Sequence, residues 1–183
     1  MKQYFQYFPL VFYDDVGNGE LKLVTLLLER VRFRDVVRKN NMVFYPVTIQ
    51  DGESPESMAN KYYGAPGYHW IILLANNILN VYEEWPTAIG VIDDVINIKY
   101  KTTQLTGLQY AYQTIHHYQD FRGNVIDYQT FLTLQYSQRS AVTVYDYEIQ
   151  LNENKRQIQL LDKSYVPQVL AELQTILYSP IIQ

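Results

Sequence analysis

Residues 51–77 read DGESPESMANKYYGAPGYHWIILLANN, and the fold is decided in this stretch. Asp51-Gly52 is a turn dipeptide. Ser54 stands where an N-cap belongs, and Pro55 takes the first helical position, where a missing N–H does no harm. Met58, Ala59 and Tyr62 give the helix that follows an apolar face. Gly64 suits a left-handed C-cap, and Pro66 prevents simple continuation. Gly67 to Asn76 reads as a second short helix. Trp70, Ile71, Ile72, Leu73, Leu74 and Ala75 make it apolar nearly all round, so it is expected to be buried. Asn76-Asn77 suits its C-terminal end.

Upstream, residues 42–49 (MVFYPVTI) read as a strand. Pro46 cannot donate to a ladder, which predicts an edge strand or a bulge. Downstream, a third segment starts at Trp85-Pro86. Ile89, Ile92 and Ile96 keep helical spacing, but Gly90 and a β-branched run weigh against it, and VINIKY also suits a strand. Residues 100–110 read as a loop. AYQTIHHY, a turn near Asp120 to Asn124, and VIDYQTFLTLQY read as a hairpin, followed by a turn from Ser137 to Ser140. Residues 141–156 stay open. Thr143, Tyr145, Tyr147, Ile149 and Leu151 alternate as in a strand. Val144, Tyr147 and Leu151 also fit a helix, and Thr143-x-x-Asp146 resembles a capping start. RQIQLL is a short strand candidate. Ser164 is the expected cap of a last helix through about Tyr178, with Val166, Leu170, Leu173 and Leu177 on one face.

The first 20 residues read as an arm with aromatics at Tyr4, Phe5, Tyr7, Phe8, Phe12 and Tyr13, closed by a Gly17-Asn18-Gly19 turn. Such aromatics either fold back on the core or insert into a partner. In residues 21–40, Leu23, Leu26, Leu27, Arg30 and Val31 suit a helical face. Arg30, Arg32, Arg34, Arg38 and Lys39 form a basic cluster there against Glu29 and Asp35. It is either a solvated face or a patch that meets an acidic neighbour. Residues 51–99 offer one in Asp51, Glu53, Glu56, Glu83, Glu84, Asp93 and Asp94.

A chain of 183 residues suits one domain, or a small domain with arms. A net charge of −4 carries no signature of a nucleic-acid binder. The absence of cysteine removes disulfides, thiolate metal sites and thiol nucleophiles, and fits a cytoplasmic protein. The N-terminus reads as no signal peptide, and no apolar run of membrane-spanning length occurs. Tyrosine occurs 18 times, which suits either a half-buried sheet or an interface-rich subunit.

No phosphate-binding glycine loop, nucleophile elbow or zinc-protease helix is present. His116 and His117 are adjacent, and neighbours on a strand face opposite sides, so no metal site is expected from them. One imidazole should pack and the other stay exposed. His69 reads as a satisfied core or interface histidine. Glu83-Glu84 and Asp93-Asp94 lie near element boundaries and read as solvated pairs rather than glycosidase acids. No cofactor and no catalytic residue is expected.

The order strand, DG turn, capped helix, Gly, second helix ending in Asn-Asn resembles a LysM domain, a βααβ module. A wider resemblance covers most of the chain. ERVRFRDVV, DGESPESMANKYYGAPGYHWIILLANNI, EEWP, IHHYQDFRGNVID and YDYEIQLNENKRQIQLLDKSYVPQVLAEL occur in that order. The series resembles the LysM-like baseplate wedge protein of contractile-tailed bacteriophages, the gene product fifty-three type. The resemblance implies an α+β fold: a LysM-like βααβ unit with an extended N-terminal arm, an inserted β-hairpin and a C-terminal helix. It divides the chain into an arm and basic helix (1–41), the LysM-like unit (42–100), and a hairpin and C-terminal helical region that completes the unit (101–183). It implies that residues 143–156 are helical and RQIQLL a strand. No good return strand follows Asn77, so Gln157 to Leu161 is expected to pair antiparallel with Val43 to Ile49.

The implied function is structural: a virion protein of the tail baseplate, assembled in the host cytoplasm and joining neighbouring wedge subunits. Its implied partners are other wedge and hub proteins and neighbouring wedges in a symmetric ring. The alternative is a solitary LysM-type module that binds peptidoglycan or chitin oligomers. For the docking surface the candidates are Tyr4, Phe5, Phe8, Arg32, Arg34, Tyr62, Tyr63, Tyr68, Glu83, Glu84 and Trp85, since aromatics and arginines are the usual anchors of interfaces.

Overall fold

The computed structural model describes residues 4–27, 31–34, 37, 39–40 and 42–178. It mixes helix and strand, and its chain divides into two units. One unit holds Met1–Thr48, Glu53–Glu84 and Ile158–Gln183. The other holds Ile49–Gly52 and Trp85–Gln157. Both are assembled from separated stretches, whereas the expected three parts are consecutive in sequence.

In the first unit, β1 (Leu10–Tyr13) and β2 (Lys22–Thr25) form an antiparallel hairpin, with Leu10 opposite Thr25 and Tyr13 opposite Lys22. The Asp14 carboxylate accepts the N–H groups of Gly17, Asn18 and Gly19 and holds the connecting loop. This hairpin overturns the helix expected from residue 21 onward. Leu23, Leu26 and Leu27 mimic a helical spacing, but they belong to a four-residue strand and the bend after it. Further on, Val31 and Phe33 are half-buried while Arg32 and Arg34 are exposed. That is the period of two of an extended chain. The expectations for Glu29, Arg30, Asp35 and Arg38 lie outside the described residues.

The expected long-range closure is present: β3 (Phe44–Thr48) pairs with β7 (Gln157–Leu161) in a two-stranded sheet. At one end Asp162 N–H donates to the Val43 carbonyl at 2.8 Å. At the other, Ile49 N–H donates to the Arg156 carbonyl, also at 2.8 Å. The pairing is therefore antiparallel, and its register places Pro46 opposite Gln159 at a non-hydrogen-bonded position. The missing N–H of Pro46 points away from the ladder, so the proline is tolerated on this edge.

Between these strands, α1 (Pro55–Tyr63) starts as its residues require. Ser54 Oγ accepts the Ser57 N–H at 3.1 Å, and Ser57 Oγ accepts the Ser54 N–H at 2.9 Å. Gly64 ends the helix in the left-handed region at φ 80°. Met58 and Ala59 are buried, but Tyr63 rather than Tyr62 is the buried tyrosine. A 3₁₀ turn, Pro66–Tyr68, leads into α2 (His69–Ala75). Trp70, Ile71, Ile72 and Ala75 are buried; Leu73 and Leu74 are half-buried, so this helix is not enclosed all round as expected.

Asn76 then does something the sequence reading missed. Its Oδ1 accepts the Gln159 N–H at 2.8 Å, and its Nδ2 donates to the Gln159 carbonyl at 2.8 Å and to the Ile72 carbonyl at 2.8 Å. Gln159 is non-hydrogen-bonded with respect to β3, so these backbone groups face outward. The asparagine amide thus acts as a one-residue third strand. A short α3 (Val81–Glu84) follows. The last helix, α8 (Val166–Tyr178), buries Val166, Leu173 and Leu177. Its lead-in turn is capped by Asp162, which accepts the Ser164 N–H and hydroxyl, instead of by Ser164 itself. A carboxylate is the stronger acceptor, and it sits one residue ahead of the turn.

In the second unit, α4 (Ile89–Lys99) settles the helix-or-strand question in favour of helix, with Ile92 and Ile96 buried. The loop expected at 100–110 instead contains the start of α5 (Gly107–Gln113). Its Thr and Gln are the cap: Thr106 Oγ1 accepts the Gln109 N–H and Gln109 Oε1 accepts the Thr106 N–H. β4 (Ile115–Asp120), β5 (Val125–Ile126) and β6 (Arg139–Thr143) form an antiparallel sheet in the order β5-β4-β6. The expected turn at Asp120 to Asn124 is there, held by the Asp120 carboxylate on the N–H groups of Arg122 and Asn124. Of the expected second strand only Val125–Ile126 forms, as β5. Asp127 caps a helix, α6 (Tyr128–Thr133), through the Thr130 N–H and hydroxyl, and β6 becomes the main partner of β4. α7 (Val144–Asn154) opens on the Thr143–Asp146 capping box. Ile92, Ile96, Ala111 and Val144 form the core of this unit.

Candidate docking site

The N-terminal arm folds back on α2. The Tyr4 ring lies 5.0 Å from that of Trp70 and 5.0 Å from that of Phe8, and Tyr7 and Phe8 are buried. Together arm and helix enclose an apolar cleft of about 820 Å³. Trp70, Leu73 and Leu74 line one side and Tyr4, Phe5 and Phe8 another. Glu56, His69 and Leu79 complete the lining with apolar neighbours. Phe5 is 60% exposed and Leu79 66%. Trp70 Nε1 is buried and bonds to no acceptor among the described residues. A smaller cleft of about 60 Å³ is lined by Arg32, Phe33, Trp70 and residues of α8.

The candidate residues divide on burial. Phe8 is 4% exposed, Tyr63 5% and Trp85 7%. All three pack inside their own chain, and Phe8 does so as part of the cleft wall. The Tyr63 hydroxyl donates to the Leu161 carbonyl at 3.1 Å, and burial pushes its ionisation well above the ordinary tyrosine range. Tyr62 and Tyr68 are half-buried; Tyr68 meets Tyr63 edge-on at 6.3 Å. Adjacent helical residues differ by about 100° in direction, and here Tyr63 takes the inward position.

Arg32 and Arg34 are exposed and make no ion pair among the described residues. Several acids of the stretch 51–99 are engaged within the chain. Glu53 pairs with Lys61 at 3.0 Å, Asp51 with Arg156 at 3.0 Å, and Asp93 accepts the Tyr145 hydroxyl at 3.0 Å. Glu84 accepts the N–H groups of Leu79 and Asn80, holding the loop before α3; Glu83 is exposed. Asp51 also accepts the Ile89 N–H, and that bond, then Arg156, holds its carboxyl below the ordinary range. Glu53, Glu84, Asp51 and Asp93 thus hold local structure, where Glu83-Glu84 and Asp93-Asp94 were expected only as solvated pairs.

A register irregularity between Ile115 and His117 removes the strict alternation expected of the histidine pair. Their Nδ1 atoms lie 2.9 Å apart, and His116 stacks on Tyr147 at 3.7 Å. His116 is exposed and His117 half-buried. Among the described residues, no group of three or more His, Cys, Asp or Glu side chains is placed to hold a metal.

Glu56, Leu79 and His69 in the cleft were not read as site residues. No local signal marks them, because the cleft exists only once residues 4–8 lie against α2.

Compared with known families, residues 30–129, more than half of the chain, match the family model for base plate wedge protein 53. A comparison with curated proteins finds no match.

Proposed function

The chain belongs to the base plate wedge protein family of phages, and on that premise we propose that it joins neighbouring wedge subunits through protein–protein contacts. The family is a structural component of the virion tail baseplate. We read β3, α1, α2 and β7 as a LysM-like unit whose return strand comes from residues 157–161. The arm, the β4–β5 hairpin and α8 are additions to it. The partners under this reading are other wedge and hub proteins, repeated around a symmetric ring.

The observation that carries the reading is the apolar cleft with its exposed rim. Phe5 and Leu79 stay in water in the isolated chain, beside a lining that is mostly carbon. Tyr4, Phe5, Tyr62, Tyr68, Arg32, Arg34 and Glu83 are the proposed contact residues. Glu84 supports them by fixing its loop. No observation favours the glycan-binding alternative.

The test is reconstitution of wedges from purified subunits with and without this chain. Joined multi-wedge assemblies seen by negative-stain microscopy only when the chain is present support the reading. Equally frequent assemblies without it refute it.

A further inference from the structure

We propose that the cleft between the N-terminal arm and α2 seats an apolar segment of a different baseplate subunit, and that this segment carries a lysine or arginine that meets Glu56. The inference rests on the docking reading above and adds the chemistry of the occupant.

Size and lining come first. At about 820 Å³ the cleft takes several apolar side chains at once. Water held there meets carbon on most sides, and its release favours an apolar occupant.

Charge then narrows the occupant. Among the described lining residues, Glu56 is the single carboxylate, and no lysine or arginine lines the cleft. Glu56 is exposed and makes no ion pair among the described residues. His69 reinforces the polarity. Its Nδ1 lies 3.0 Å from the Pro66 carbonyl, which can only accept, so Nδ1 carries the hydrogen. In the neutral ring Nε2 is then left as an acceptor. An exposed carboxylate and, in the neutral ring, an imidazole acceptor recruit a basic group and disfavour an acidic one. An acidic segment leaves Glu56 unpaired, and a neutral glycan leaves the apolar wall unmatched.

The test is made in assembled baseplates containing the full chain. A photo-crosslinking p-benzoylphenylalanine replaces Leu79 at the rim, and crosslinked peptides are mapped by mass spectrometry. The expected product joins Leu79→p-benzoylphenylalanine to an apolar segment of a non-identical subunit with a Lys or Arg within a few residues. Glu56→Lys should cut incorporation into baseplates at least tenfold, and reversing the mapped cation to Glu should restore it. Glu56→Gln, which keeps shape and drops charge, should give a smaller loss; thermal melts matching wild type confirm that both variants fold. The inference is overturned by a crosslink to a second copy of this chain, by a segment without a cation, by no crosslink within assembled baseplates, or by normal incorporation of Glu56→Lys. Absence of the unmodified chain from baseplates would instead remove the docking reading itself.

Discussion

Replacing Asn76 with Ala tests the closure of the β3–β7 sheet directly. The substitution removes three hydrogen bonds: two to the Gln159 backbone and one to the Ile72 carbonyl. Gln159 is half-buried, so water replaces its lost partners only in part. Each net hydrogen bond contributes about 1 kcal/mol, and a buried group left unpaired costs about 1–3 kcal/mol. The expected loss is about 2–4 kcal/mol, a large fraction of the roughly 5–15 kcal/mol typical of a whole domain. Asn76→Asp is the sharper variant. It keeps Oδ1 as acceptor but sets a second carboxylate oxygen against the Gln159 and Ile72 carbonyls, so at neutral pH it should be worse than Ala. Urea denaturation followed by tryptophan fluorescence in a Trp85→Phe background reads Trp70 alone, since the chain has two tryptophans. The midpoint should fall with little change in slope. A loss under about 0.5 kcal/mol for Ala, or an Asp variant no less stable than Ala at neutral pH, would refute the third-strand account of Asn76.

Gly107→Ala should lower stability by at least about 1–3 kcal/mol, because a Cβ there would fall on the backbone of Asn97; an unchanged melting temperature would contradict the close approach of α4 and α5. Asn77 sits at φ 55°, so Asn77→Val should cost about 1–2 kcal/mol and Asn77→Gly far less, compared by the same denaturation assay. Asp51 has its carboxyl depressed first by the Ile89 N–H and then by Arg156. Its contribution is present above the ordinary carboxylate range near about pH 4 and disappears as pH falls through the lower folded value. Asp51→Asn should therefore flatten the acid limb of a stability–pH curve, and an unaltered limb would argue against it.

Where local chemistry decides an element, the sequence spoke clearly. Ser54, Pro55 and Gly64 framed α1, and Thr143-x-x-Asp146 marked the start of α7 even while alternation argued for a strand. Each of these signals acts within four residues. Errors arose where a neighbour distant in sequence decides. Leu23, Leu26 and Leu27 looked helical because the pairing of Lys22–Thr25 with β1 is invisible in a spacing. Tyr128–Thr133 is the exception: it read as a strand although the signal for a helix, Asp127 as its cap, is local. Tyr62 read as part of the apolar face of α1, but Tyr63 is the buried one, its hydroxyl reaching the Leu161 carbonyl of a strand far along the chain. The cleft was legible only as its parts: the aromatic arm was noticed, Glu56 was one acid among several, and nothing in the sequence joins them. The β3–β7 pairing was anticipated from an absence, the lack of a return strand after Asn77, together with the family resemblance.

That pairing has a consequence for synthesis. The strand that completes the β3–β7 sheet leaves the ribosome only after all of residues 85–156. Until then Phe44–Thr48 has no ladder and Asn76 has no backbone to hold. At a translation rate of roughly 5–20 residues per second, the nascent protein carries its open sheet for several seconds while the intervening residues form their own core. A product that terminates before Leu161 can never close the sheet. Closure of the sheet thus reports that synthesis has passed Leu161, and an assembly that selects for the closed sheet rejects subunits truncated before it without any separate inspection step.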